Sequence, residues 1–228
     1  MKIVVCVKQV PDTTEVKLDP VKGTLIREGV PSIMNPDDKS GLEAALRLKE
    51  ETGAEVTVLT MGPPQATAVL REAMAMGADA GVLLTDRAFG GADTWATSYT
   101  LSLALKKMDF DLLITGRQAI DGDTAQVGPQ IAEHLGIANV SYAEELHVDG
   151  DYVIVKRQFE DRYHMVKAQM PCLVTALAEL NEPRYMTPGG IFKAFEAPIQ
   201  EMHFEDLDAN ADDLGLKGSP TKVVKSFP

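Results

Sequence analysis

Asp111-Leu-Leu-Ile-Thr-Gly-Arg-Gln-Ala-Ile-Asp-Gly-Asp-Thr-Ala-Gln-Val-Gly128 passes from an apolar run, through a polar loop with glycines, into the start of a helical period. The run Asp111 to Thr115 is continuous rather than alternating, as a strand covered on both faces requires. Beyond the loop, Val127, Ile131 and Leu135 share one helical face, and Gly136 stands where the helix should stop. The same grammar repeats upstream. Strands are expected at Ile3 to Val7, Val56 to Thr60 and Gly81 to Thr85. Helical faces follow at Leu42, Ala45, Leu46 and Lys49, at Ala66, Val69, Leu70, Ala73 and Met74 with Gly77 as stop, and at Thr97, Leu101, Ala104 and Leu105 closed by Lys106 and Lys107. Strand and helix in alternation predict βαβ units around a parallel sheet.

From about residue 139 the rhythm becomes strands without helices: Ser141 to Val148, an Asp149-Gly150 turn, Tyr152 to Arg157, Tyr163 to Ala168 and Cys172 to Ala176. The last fifty residues, rich in Pro, Gly and Asp, show no core period and read as an arm needing a partner surface, or as a mobile tail. The expected fold is α/β: a doubly wound, mostly parallel sheet with helices on both faces, plus a C-terminal antiparallel β extension and a partner-binding arm. Residues 1–180 are expected to form the α/β domain, with 139–180 as its antiparallel extension, and 181–228 the arm. A turn-rich excursion (Pro11, Asp19-Pro20, Gly23, Gly29, Pro31) separates the first strand from the first helix.

Composition narrows the function. Acidic residues number 34 against 22 basic, a formal net charge of −12, which argues against a nucleic-acid-binding face. Anionic ligands therefore need local devices. The two cysteines, Cys6 and Cys172, lie far apart in apolar surroundings, which suggests no disulfide framework or thiolate metal site and fits a reducing, cytoplasmic compartment. The opening MKIVVCVKQV is too short an apolar run for a signal peptide, and no stretch is long enough for a membrane span. Phosphate-loop, dinucleotide GxGxxG, HExxH and GxSxG patterns are absent, and His134, His147, His164 and His203 have no ligand spacing, so no metal is expected.

What remains are loops leaving the carboxyl ends of strands, where open α/β sheets bind ligands. Gly116 to Gly128 is the strongest, since its glycines, Gln118, Asp121, Asp123, Thr124 and Gln126 suit a nucleotide, while its carboxylates would face ribose hydroxyls or solvent. Phe89-Gly90-Gly91-Ala92-Asp93-Thr94 offers close backbone approach to a phosphate or ring, or is a simple turn. In Asn35-Pro36-Asp37-Asp38, Asn35 reads as a helix cap and Pro36 as the first helical residue. Backbone amides at these helix starts, with Lys8, Arg87 and Arg117, are the candidate phosphate holders. Cys6 reads first as a small core residue.

Several segments then match a known family: Val5-Cys-Val-Lys8, Ser32-Ile-Met-Asn-Pro36, Ala73-Met-Ala-Met-Gly-Ala-Asp79, Gly116-Arg-Gln-Ala-Ile-Asp121 and Leu180-Asn-Glu-Pro-Arg-Tyr185. Over nearly its full length the sequence resembles the β subunit of electron-transfer flavoproteins. The family signature resembles Val155 to Thr175, departing at Arg162 and His164. The resemblance implies a heterodimer with an FAD-carrying α subunit and a second nucleotide in the β subunit, AMP in ordinary members and FAD in electron-bifurcating ones. Carried over, that site comprises Cys6, Asn35, Asp38, Met61, Gly116, Arg117, Gln118, Asp121, Gly122, Asp123, Thr124, Ala125, Gln126 and Val127. The small residues at Gly122 and Ala125, together with Asp86 to Thr94 and Arg184 to Ile191, look like the bifurcating type. That type implies NADH at Phe89, Gly90, Gly91, Asp93 and Thr94, hydride passage to FAD, and electrons divided between the α-subunit FAD and ferredoxin or flavodoxin. Arg184, Tyr185, Met186 and Ile191 are the implied contacts to an acyl-CoA dehydrogenase or similar flavoenzyme. A non-bifurcating carrier with structural AMP and a non-redox nucleotide-binding regulatory domain are the alternatives.

Overall fold

In the computed structural model, residues 1–12, 17–18, 25–26 and 31–221 are described. Asp19-Pro20, Gly23 and Gly29 of the expected turn-rich excursion lie outside them. In chain order the elements are β1 (Lys2–Cys6), β2 (Gln9–Pro11), β3 (Lys17–Leu18), β4 (Leu25–Ile26), β5 (Ser32–Met34), α1 (Pro36–Thr52), β6 (Glu55–Met61), α2 (Thr67–Met76), β7 (Ala80–Leu84), α3 (Thr94–Leu105), β8 (Leu112–Gly116) and α4 (Val127–Leu135). There follow β9 (Ala138–Asp149), β10 (Tyr152–Gln158), β11 (Tyr163–Gln169), β12 (Cys172–Ala176), α5 (Pro188–Glu196), β13 (Ile199–Met202) and α6 (Gly215–Gly218).

Nine strands share one sheet in the order β11-β10-β9-β12-β8-β1-β6-β7-β13. The seven from β9 to β13 pair in parallel, and β10 and β11 join antiparallel at one edge. The parallel strands are apolar on both sides because helices cover both. Leu42, Leu46, Val69 and Leu70 of α1 and α2 pack with Val5, Val58 and Ile114 on one face. On the other, Leu101, Leu105 and Ile131 of α3 and α4 pack with Val4, Leu59 and Leu113. Full burial of such a side chain contributes roughly 1.5–3 kcal/mol, so these two layers hold the sheet. The expected doubly wound α/β fold with its antiparallel extension is what forms.

Two features go beyond the sequence reading. First, β9 begins three residues earlier than expected and crosses from the parallel sheet into the hairpin through an irregularity. Tyr142 sits at φ 61, the register against β12 shifts between Val174 and Ala176, and the Tyr142 N–H donates to Thr175 Oγ1 at 3.0 Å. Second, the last fifty residues hold α5 and β13, the latter pairing with β7 from Ile199↔Gly81 to Met202↔Leu84. Among the residues of α5 only Ala194 is buried, and its apolar side chains face outward, which is why no core period was visible.

Candidate functional site: the crevice between β1 and β8

Beyond β1 the chain goes to α1 on one face of the sheet, and beyond the neighbouring β8 it goes to α4 on the other. Adjacent strands whose connections part in this way open a crevice at their carboxyl ends, the usual ligand position in doubly wound sheets. The residues around it are fastened to one another across long sequence separations.

Asn35 precedes α1, but its side chain does not cap the helix, contrary to the expectation. It reaches across the crevice instead. Its amide donates to the Gln118 carbonyl at 2.8 Å, and its oxygen accepts from the Ile120 N–H at 3.0 Å. A cap must serve its own helix, whereas here the unsatisfied backbone of the β8–α4 loop takes the side chain. Asp38 makes the second bridge: Oδ2 accepts from the Lys8 N–H at 2.8 Å and Oδ1 from the Gly116 N–H at 2.9 Å. It thereby ties the end of β1 to the end of β8. A side chain on Gly116 would overlap Asp38, whose own backbone nitrogen lies 2.8 Å from where a Cβ would stand, so only glycine fits. Burial pushes the Asp38 carboxyl up to about 7, against the hydrogen bonds from Lys8, Asn35 and Gly116 that favour its charged form.

Cys6 closes β1 among apolar neighbours. Burial, with the Asp38 charge, pushes its thiol up to about 12, which keeps it protonated and makes it a small packing residue. Met61 ends β6 at the same sheet edge, packed against the α3 and α4 core. In the loop after β8, the Arg117 N–H donates to Ala176 O at 2.8 Å and its guanidinium lies 3.4 Å from Asp37 Oδ2. Burial raises Asp37 while Arg117 opposes the shift. Lys8 Nζ meets Asp121 at 2.7 Å, and the Gln118 amide bonds Asp123. Sequence reasoning included Asp37 in the Asn35 to Asp38 stretch but missed its pairing with Arg117 and the Lys8–Asp121 strut, because an acid in a first helical turn already has a reason to be there. Asp123 and Ala125 hold φ of 50° and 52°, rare for residues with a Cβ, and nothing lies within 4 Å of a Cβ built on Gly122. Thr124 is exposed beside them. The loop ends at Gln126, which makes no side-chain cap to α4, and neither Val127 nor its neighbours place an acid in the first turn.

The Gly90 loop stands next to this crevice, for Thr94 Oγ1 donates to Gln126 Oε1 at 2.8 Å. Phe89 is buried, Gly90 and Gly91 are exposed, and Gly91 is at φ 73. Asp93 caps α3 through the Ala96 N–H at 3.0 Å. The C-terminal segment straps the loop down, a feature with no sequence signal. The Leu216 N–H donates to Gly90 O at 3.0 Å, the Asp93 N–H donates to Ser219 Oγ at 2.8 Å, and the Thr221 N–H and hydroxyl donate to Asp93 Oδ2 at 2.8 and 2.7 Å. Hydrogen bonds from Ala96 and Thr221 outweigh burial and hold Asp93 below the usual carboxyl range.

Tyr185, Met186 and Ile191 lie elsewhere, exposed along the segment carried by α1 and α2. Arg184 is directed inward to Glu43 and Glu50 of α1. His164 is exposed on β11 against Phe159, with ring centroids 4.5 Å apart, and Arg162 pairs with Asp161. Two further clefts lie away from the crevice. One of about 490 Å³ opens near the amino ends of β1, β6 and β7, and one of about 450 Å³ lies between β5, α1 and Pro183. Among the described residues no cluster of three His, Cys, Asp or Glu could hold a metal ion, and no helix is long and apolar enough to cross a membrane.

A doubly wound sheet with a polar, backbone-lined crevice at its switch point defines a class, that of α/β domains suited to binding a nucleotide. The family follows from comparison with known proteins. The model of the electron transfer flavoprotein domain matches residues 22–207, and the chain belongs to the electron transfer flavoprotein family. It is 62% identical over 226 residues to the electron transfer flavoprotein subunit beta of Clostridium acetobutylicum, covering 99% of this chain and 87% of that one. Identity is 58% over 229 residues to subunit CarD of the caffeyl-CoA reductase-Etf complex of Acetobacterium woodii, covering 100% and 87%. With the acryloyl-CoA reductase electron transfer subunit gamma of Anaerotignum propionicum it is 51% over 236 residues, covering 100% and 88%.

Proposed function

We propose that the chain is the β subunit of a heterodimeric electron-transfer flavoprotein, with FAD in the crevice between β1 and β8 and NADH approaching over Gly90 and Gly91. The observation that carries the nucleotide reading is the amino end of α4. Of the four helix starts at this edge, α1 opens with Asp37 and Asp38, α3 is capped by Asp93, and α2 is entered through a 3-10 turn at Pro64–Ala66 in which the Ala66 N–H already donates to Pro63 O at 2.8 Å. Both α2 and α4 lack a side-chain cap and an acid in the first turn, but α4 starts directly from the crevice loop. Free amides at the positive end of a helix dipole suit a phosphate. Lys8 and Arg117 are engaged by Asp121 and Asp37, so they act as struts that shape the loop while the amides take the charge. The residues present therefore fit a phosphate-bearing cofactor.

Open space at Gly122 supports a ligand longer than AMP. Bound there, the flavin would supply hydride acceptance from NADH and single-electron delivery to two acceptors, the α-subunit FAD and a ferredoxin or flavodoxin. The chain's own residues would position it. Asn35 and Asp38 fix the loop, Gly116 permits its close approach to α1, and Gly90 and Gly91 keep side chains out of the path to the ring. The relatives named for caffeyl-CoA and acryloyl-CoA reduction support a flavoenzyme of the acyl-CoA dehydrogenase class as the high-potential partner, docked on Tyr185, Met186 and Ile191.

A flavin and nucleotide count on the purified αβ dimer, with an absorbance spectrum before and after NADH, tests this. Two FAD per dimer and bleaching by NADH are expected. One FAD plus one AMP without bleaching would mean a non-bifurcating carrier, and stable nucleotide binding by a monomer with no α subunit would mean a regulatory domain.

A further inference from the structure

The chain leaving β12 is bolted to α1 before it reaches the exposed segment. Asn181 donates its N–H to Ser40 Oγ at 3.0 Å and its amide to Ser40 O at 3.3 Å. Three residues on, the Arg184 guanidinium forks onto two carboxylates. Nε and Nη2 meet the two oxygens of Glu43 at 2.8 and 3.1 Å, Nη1 and Nη2 meet those of Glu50 at 2.5 and 3.2 Å, and the Arg184 N–H adds 3.1 Å to Glu43. The Glu43 side chain is only 4% exposed and also takes Arg47 at 3.0 Å. Burial opposes its charge, but hydrogen bonds from Arg184 and Arg47 prevail and hold its carboxyl below the usual range.

Beyond these bolts lies a ridge of apolar side chains in water. Tyr185 is 94% exposed, Phe192 75% and Phe195 81%, with Met186 and Ile191 beside them. The far end of the ridge is fastened too. Ala194 is buried against α2, the Arg71 guanidinium donates to the carbonyls of Ala194 and Ala197, and the Thr187 hydroxyl accepts from the Gly190 N–H at 3.0 Å. Large apolar side chains exposed together in this way are characteristic of an interaction surface. A ridge fixed beforehand loses less freedom when it docks.

We propose that Arg184, working through Glu43 and Glu50, is a positioning residue that holds the Tyr185 to Phe195 ridge in its docking conformation and makes no contact with the partner itself. This rests on the docking reading above, and it replaces Arg184 as a direct contact. Lysine cannot reproduce the role, because a point charge does not fork onto two carboxylates.

The test uses the αβ heterodimer with a purified short-chain acyl-CoA dehydrogenase, following electron-transfer kinetics and hydrogen exchange. Arg184→Ala should raise KM for the dehydrogenase about tenfold, equivalent to about 1.4 kcal/mol, with kcat held, flavin content unchanged and faster exchange confined to residues 181–196. Arg184→Lys should fall between. A Tyr185→Ala/Phe192→Ala pair should raise KM without faster exchange at 181–184. If that pair leaves KM unchanged, or the wild type shows no saturable transfer, the docking reading falls. If the pair raises KM and Arg184→Ala does not, the positioning inference alone is overturned. Equal loss of flavin, kcat and KM in Arg184→Ala would also overturn it, by showing that the clamp serves the whole fold.

Discussion

Asp38 gathers most of the crevice's constraints in one side chain. Its folded value of about 7 stands above the ordinary carboxyl value of about 3.9. Between those values the folded protein keeps a proton that the unfolded chain has released. The contribution of this group to stability is therefore full below about pH 4, declines as pH rises and is lost above about pH 7. Asp38→Asn has no such slope, but it offers only one acceptor to the N–H groups of Lys8 and Gly116, which costs roughly 1–3 kcal/mol. In urea titrations from pH 4.5 to 8 the wild type should exceed the variant most at the acid end, with the gap closing as pH rises. Parallel curves would refute the assignment. At the neighbouring loop, Gly91 holds φ 73 and a Cβ there would stand 3.2 Å from Leu216. Gly91→Val should cost about 1–2 kcal/mol and lower Tm by roughly 2–8 °C. It should also weaken bleaching by NADH more than flavin retention. Equal loss of both would leave the loop with a structural role only.

At the scale of elements, the three candidate helix starts, those of α1, α3 and α4, look alike in the sequence and differ in the structure. All follow polar or glycine-containing loops, and all were candidates for holding phosphate. What separates them is where their carboxylates point, which depends on partners 78 to 128 residues away in the chain. Periodicity located α4 and its stop at Gly136, because one buried face and a left-handed cap are local facts. It could not show that Asn35 abandons its own helix for Gln118 and Ile120. Gln126→Asp tests the α4 reading. An acid at this cap should stabilise the helix by about 0.5–2 kcal/mol yet repel a phosphate, so thermal stability of the nucleotide-free protein should hold or rise while retention of the nucleotide through gel filtration drops. Unchanged retention would place the phosphate elsewhere.

For the whole molecule, hydrophobic pattern revealed the sheet and its two helical layers, since those strands are covered on both faces and cannot alternate. It missed α5 and β13, one because its apolar side faces outward, the other because four residues carry too little pattern. It also missed the strap. Leu214 is 1% exposed in the α3 and α4 core, and Ser219 and Thr221 close on Asp93. Ending the chain after Asp213 should therefore lower Tm by several degrees and speed hydrogen exchange at residues 88–96. Unchanged exchange there would show that the strap is only a passenger. The sheet order has a further consequence for how the protein is made. β12 lies near the middle of the sheet and β13 at its far edge, so the span that bears Tyr185 to Phe195 passes over α1 and α2, fastened to each, before it joins the sheet again beside β7. During synthesis the fastening to Arg71 waits until Ala197 has emerged, and the pairing with β7 waits until Met202 has. A chain that stops short of Ala197 would therefore keep the Arg184 clamp at one end of the ridge and lack the Arg71 clamp at the other.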